Sequence, residues 1–100
     1  MQITLTPVRR EARLTASVAG DVLTLNDEDF DFSALPEGAL LPREAIHSDW
    51  FASDVERVGG EITLTLVVPH DATAPEETLF PAPPAPGDGP LALPPYGENA

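Results

Sequence analysis

The sequence predicts an all-β protein: an antiparallel meander or small sandwich of about six strands, with at most one short helical turn and a Pro-rich, extended C-terminal segment. Three observations lead there. The stretch Asp54–Val68, DVERVGGEITLTLVV, has the form of a β-hairpin, with strands at Val55–Val58 and Glu61–Val68 around Gly59-Gly60. Gly-Gly supplies the positive φ angles of a type I′ or II′ turn, whose twist suits antiparallel neighbours. Two further tight-turn pairs, Gly20-Asp21 and Asn26-Asp27, separate short runs of alternating apolar residues. Lastly, nine of the 12 Pro fall in residues 69–100. Their fixed φ and missing N–H groups favour extended chain over ladders or helices. The expected division is a β domain over 1–68 and an extended segment over 69–100 that is partly draped on it.

Taken in order, Gln2–Val8 alternates, with Ile3 and Leu5 on one side and Gln2, Thr4 and Thr6 on the other, as a strand ending near Pro7. Arg13–Ala19 forms a second strand, with Leu14, Ala16 and Val18 inward. Gly20-Asp21 has Gly first, as a type II′ turn requires, and Val22–Leu25 returns. After Asn26-Asp27, Asp29–Phe32 makes a fourth strand with Phe30 and Phe32 on one face. Ser33–Arg43 holds two Pro and one Gly and is loop, with Leu35, Leu40 and Leu41 docking on a sheet edge. Pro42 opens one turn of helix through Ile46, since Pro is tolerated in a first turn. Trp50-Phe51 is the largest apolar pair and belongs in the core. In the organising hairpin, Ile62, Leu64, Leu66 and Val68 share the core face, and Pro69 ends the ladder for want of a donor. Beyond it, Thr78–Phe80 is expected to add an edge strand or drape along the sheet, with Gly97–Ala100 loose.

Composition narrows the function. Seventeen acids against five bases, all Arg, give a net charge of −12. Such a surface repels phosphates and anionic lipid, so direct binding to nucleic acid or membrane is not expected. A high negative charge is ordinarily a matter of solubility; its sharper meaning is a mimic of DNA that occupies a basic protein. There is no Cys, hence no disulfide or thiolate metal site. No run of about 18 apolar residues is present to span a bilayer. The opening MQITLTPVRR lacks the order of a signal peptide, so the expected location is the cytoplasm, with association with a virion as a further option.

No residue is assigned a catalytic, cofactor-binding or metal-binding role. Asp27, Asp29 and Asp31 match the first ligand spacings of an EF-hand loop, but its sixth position is Phe32 instead of Gly and its twelfth is Gly38 instead of Glu. The turn that loop requires is missing, and a solvated strand face opposite Phe30 and Phe32 is the favoured reading. His47-Ser48-Asp49 supplies the residue types of a hydrolytic triad, yet consecutive residues cannot usually orient one another. His70 is the only other His. Pro81–Pro86, PAPPAP, contains P-x-x-P without a flanking base and has the form of a stiff spacer. Pro94-Pro95-Tyr96 misses P-P-x-Y by one residue. Gly87-Asp88-Gly89 precedes Pro90, not a helix, and cannot cradle phosphate.

The phrases GDVLTLN, FDFSALPEGALLP, AIHSDWFASDVERVGGEITLTLVVPH and APEETLFP together resemble a group of small uncharacterised proteins encoded in tail regions of proteobacterial prophages. That resemblance spans nearly the whole chain, from Met1 to about Pro95, and implies a tail accessory or assembly factor, with no residue-level assignment. Members commonly show Gly after the turn Asn; here Asp27 stands there. The expected function is therefore a non-enzymatic interaction protein without cofactor, acting on a protein partner, with a homodimer through a sheet edge as a further expectation. The alternatives are an acidic regulatory module that binds a basic protein, and a small hydrolase or lyase built on His47 or His70.

Overall fold

A computed structural model describes residues 1–84 and 87–97. The protein is all-β, with two four-stranded sheets. The first sheet has the order β1 (Gln2–Arg9), β7 (Glu61–His70), β6 (Val55–Val58), β5 (Leu40–Leu41). The second has the order β4 (Glu28–Asp31), β3 (Val22–Leu25), β2 (Ala16–Ala19), β8 (Gly89–Pro90). Their inner faces meet in one core. Ile3, Leu5, Val55, Ile62, Leu64, Leu66 and Val68 come from one side, Ala16, Val18, Leu23 and Leu25 from the other, with Phe32 and Phe51 packed among them. Leu64 and Leu66, 2% and 0% exposed, lie at its centre.

The predicted turns form with the predicted chemistry. Gly59 and Gly60 have φ of +59° and +82°, and Asn26 and Asp27 of +49° and +69°, the positive pairs of type I′ turns. Gly20 alone is positive in its pair, at +59°, as in type II′. The Gly59 and Gly60 N–H groups are capped from another segment by the two carboxylate oxygens of Glu37. Asn26 does more than turn. Its Oδ1 accepts the Thr15 N–H at 2.8 Å and its Nδ2 donates to the Arg13 carbonyl at 3.1 Å. That side-chain pairing replaces a regular ladder, so β2 begins at Ala16 and not at Arg13 as the alternation predicts, although Leu14 is still buried.

Three further features differ from expectation. First, β1 and β7 run parallel, from Gln2 opposite Thr63 to Arg9 opposite His70; the other pairings are antiparallel among the described residues. Second, the ladder does not stop at Pro69. In a parallel pair alternate residues bond to alternate sides. Arg10 N–H donates to His70, while on the opposite edge Val67 N–H donates to Trp50 and Thr65 C=O accepts from Ala52. Pro69 shares that opposite edge, so its missing N–H removes nothing from pairing with β1, and β7 continues to His70. The division at residue 68 thus falls within a strand. Third, Thr78 and Leu79 lie in a single helical turn, α1 (Glu76–Leu79), and it is Gly89-Pro90 that adds the edge strand. Pro75 before the turn and Glu76-Glu77 within it are helix-start chemistry. The 3₁₀ turn Arg43–Ala45 after Pro42 is the short helical turn expected there.

The segment before β6 also pairs with β7. Phe51 bridges Leu66, and Glu56 opposes Thr63. More residues separate Phe51 from Glu56 than Thr63 from Leu66, so the strand bulges at Ser53-Asp54. The Ser53 hydroxyl accepts the Thr65 N–H there at 2.8 Å, satisfying a donor that the bulge leaves without backbone. Phe51, 3% exposed, then receives the edges of Phe30 and Phe32 at centroid separations of 5.1 and 6.1 Å. Trp50 is half-buried at the margin of the core.

Candidate functional site

The residue types that suggested chemistry do not converge. His47 is exposed. The Ser48 hydroxyl accepts the Trp50 N–H at 3.3 Å, and the Asp49 carbonyl accepts from Arg10 Nη1 at 2.9 Å. His70 Nδ1 lies 2.9 Å from the carbonyl of its own neighbour, Asp71. Neither His hydrogen-bonds a carboxylate or a hydroxyl among the described residues.

The three aspartates of NDEDFDF are likewise separated by their bonds. Asp27 sits in the turn. Asp29 accepts from Thr24 Oγ1 at 2.7 Å across the β3–β4 ladder, and Asp31 accepts from the Ser33 N–H at 2.9 Å. The Ser33 backbone bond, then its side-chain bond, hold the Asp31 carboxyl below its ordinary value of 3.8. Among the described residues no three His, Asp or Glu side chains gather as a cation would require.

A hollow of about 540 Å³ opens beside the C-terminal half of β1, between Thr6, Val8, Arg10, Arg43 and Asp49. It brings two guanidinium groups near two carboxylates, Glu44 and Asp49, and no His lines it. Ser48 also lines it, its hydroxyl accepting the Trp50 N–H, so the hollow offers mainly polar and charged contacts.

A polar clasp fastens the C-terminal segment at this same end. The Tyr96 hydroxyl donates to the Arg10 carbonyl, and the Tyr96 carbonyl accepts the Asp71 N–H at 2.9 Å. The Arg13 guanidinium lies over the Tyr96 ring at 4.6 Å, and Arg10 over Trp50 at 5.1 Å. Asp71 Oδ1 accepts both the Thr73 hydroxyl and the Thr73 N–H at 2.8 Å. Those bonds, the hydroxyl's first, keep the Asp71 carboxyl below 3.8. Thr78, fully buried, donates to the Pro95 carbonyl. Leu91 and Leu93 pack on the core and Gly97 is buried. Glu98–Ala100, and Ala85 and Pro86 of the PAPPAP run, lie outside the described residues.

The residue that sequence reasoning missed is Arg57. Its guanidinium joins both sheets. Nη2 donates to Asp21 Oδ2 at 2.9 Å and to the Phe32 carbonyl at 3.2 Å, Nη1 to the Gly60 carbonyl at 3.1 Å, and Nε to the Leu35 carbonyl. One fork of donors therefore ties the β2–β3 turn, the end of β4, the following loop and the β6–β7 turn.

Four large apolar side chains are also exposed among the described residues. Leu40, Val58, Leu79 and Phe80 are exposed, Phe80 by 77%. No family model matches the chain, and no curated protein or solved structure shows significant similarity to it. Among the described residues no helix is long and apolar enough to cross a membrane.

Proposed function

We propose that the protein is a non-enzymatic interaction protein whose contact with a protein partner is made by the arm around Leu79-Phe80. The observation that carries this reading is the exposure of Phe80, 77%, beside Leu79, 40%, while fourteen other apolar side chains fill one core. A large apolar group held in water costs about 1.5–3 kcal/mol relative to burial, and aromatic side chains seated in pockets dominate protein interfaces. The helical turn ends at Leu79, and Pro81-Ala82-Pro83-Pro84 follows as stiff chain, so Phe80 is presented on a base with little conformational freedom to lose. Glu76 and Glu77 stand beside it. The fitting partner has an apolar pocket rimmed by Lys or Arg. The resemblance to prophage tail-region proteins makes a tail component the first candidate.

The acidic-mimic reading draws less support. Carboxylates lie on the β4 edge (Glu28, Asp29, Asp31), on the first sheet (Glu56, Glu61) and on α1 (Glu76, Glu77), so no single face collects them. The test is capture from host lysate with the wild-type chain and Phe80→Ala as paired baits, followed by mass spectrometry. A protein retained by the wild type and lost with Phe80→Ala is expected. Identical captures by both baits would refute the assignment to this arm.

A further inference from the structure

The two sheets have four edge strands, and three are guarded against pairing with another chain. Strand β4 carries Glu28, Asp29 and Asp31; β5 is two residues long; β8 is Gly89-Pro90. Strand β1 is eight residues long and uncharged from Gln2 to Val8. Its even residues bond to β7, as the Arg10 N–H to His70 bond shows, so the N–H and C=O groups of Ile3 and Leu5 point to the open side. Among the described residues nothing bonds to them there. Pro7 faces the same side and removes the next donor, which confines the open donors of the strand's first half to Ile3 and Leu5.

From this we infer that β1 takes up β1 of a second copy, antiparallel about a twofold axis. This surface is distinct from the Phe80 arm and does not rest on the reading above. Charge favours a second copy at this edge. In a chain of net charge −12, residues 1–10 contain no acid, so two copies of β1 bring no carboxylate of their own against each other. Geometry favours one register. Ile3 and Leu5 use all their free groups against each other when Ile3 lies opposite Leu5 of the second copy. Thr4 then meets Thr4 of the second copy in a non-hydrogen-bonded pair, where side chains approach most closely and threonine hydroxyls can bond. Pro7 disfavours the register slipped two residues the other way, in which Ile3 would face it. Ile3 and Leu5 side chains are already buried in their own core, so pairing adds backbone bonds and little area. The dimer belongs to the weak class and forms at high concentration.

The test is sedimentation velocity from micromolar to millimolar protein, with Thr4→Lys, Thr4→Glu and their equimolar mixture. Thr4 is exposed, so each variant is expected to keep the wild-type circular dichroism and melting temperature. The wild type is expected to shift from monomer to dimer with concentration. Each variant should lose the dimer, because like charges meet across the axis, and the mixture should regain it. Amide protection at Ile3 and Leu5 should rise with protein concentration in the wild type and in the mixture, but in neither variant alone. A wild type that stays monomeric, or a dimer that survives Thr4→Lys and Thr4→Glu, or one lost only in Phe80→Ala, would overturn the inference.

Discussion

Replacing Arg57 by Met tests how the two sheets are joined. Met keeps the aliphatic stem and removes the guanidinium with its bonds to Asp21, Phe32, Leu35 and Gly60. The Arg57 side chain is 14% exposed and that of Asp21 35%. Hydrogen bonds from a charged donor contribute roughly 1.5–3 kcal/mol each when isolated, but they are not additive and part of this cluster regains water on deletion. The expected loss is about 3 kcal/mol, against about 5–15 kcal/mol for a domain of this size. With a urea slope of roughly 1–3 kcal/mol/M the midpoint moves by about 1–3 M, readable by fluorescence of Trp50, the only Trp. Arg57→Lys keeps the charge but not the fork, and is expected to recover less than half of the loss. A double-mutant cycle with Asp21→Asn should assign only about 1 kcal/mol to the ion pair, because solvent screens Asp21. The remainder belongs to the carbonyls. An Arg57→Met midpoint within about 0.3 M of the wild type would refute the claim that this side chain joins the sheets.

Three more outcomes follow from named contacts. Asp27→Gly relieves a side chain held at φ +69° and is expected to stabilise by about 0.5–1 kcal/mol, seen as a rise in melting temperature. Tyr96→Phe removes the bond to the Arg10 carbonyl while keeping the ring under Arg13; a loss of about 1 kcal/mol and faster exchange of the Asp71 amide are expected. The Asp71 carboxyl has a folded value below its ordinary 3.8, so its contribution is present above that value and is lost as pH falls through the folded one. Protection of the Asp71 amide should therefore drop below the 3.8 mark, and Thr73→Val, which removes the bonding hydroxyl, should move that drop to higher pH.

Much of the fold was legible because its signals are local. A positive-φ turn declares itself in two residues, as at Gly59-Gly60, and alternation places Ile62, Leu64 and Leu66 on one face before any partner is known. The partner of β1 is another matter. Whether Gln2–Arg9 joins its sequence neighbour or a strand near residue 65 is decided by how the inner faces stack, and no short window encodes that. Arg57 was missed for the same reason: its acceptors come from four separate segments. The turn at Glu76–Leu79 was within reach, since Pro75 and two following Glu are a helix start; the Pro-rich surroundings obscured it. Of the proposed contact surface, the sequence marks Leu79-Phe80 as apolar residues in a Pro-rich tail, but which side chains there turn inward depends on the fold, where Thr78 is buried and Phe80 exposed.

The parallel union of Gln2–Arg9 with Thr63–His70 sets an order of events on the ribosome. Strand β1 leaves the exit tunnel with Ile3 and Leu5 bare, and its mate emerges only some sixty residues later. The three hairpins can close as they appear, whereas this junction waits until a long loop has been drawn shut, and the pairing of Gly89-Pro90 with β2 and the bond from Tyr96 to Arg10 wait longer still. Throughout that interval Gln2–Arg9 is open to capture by a chaperone.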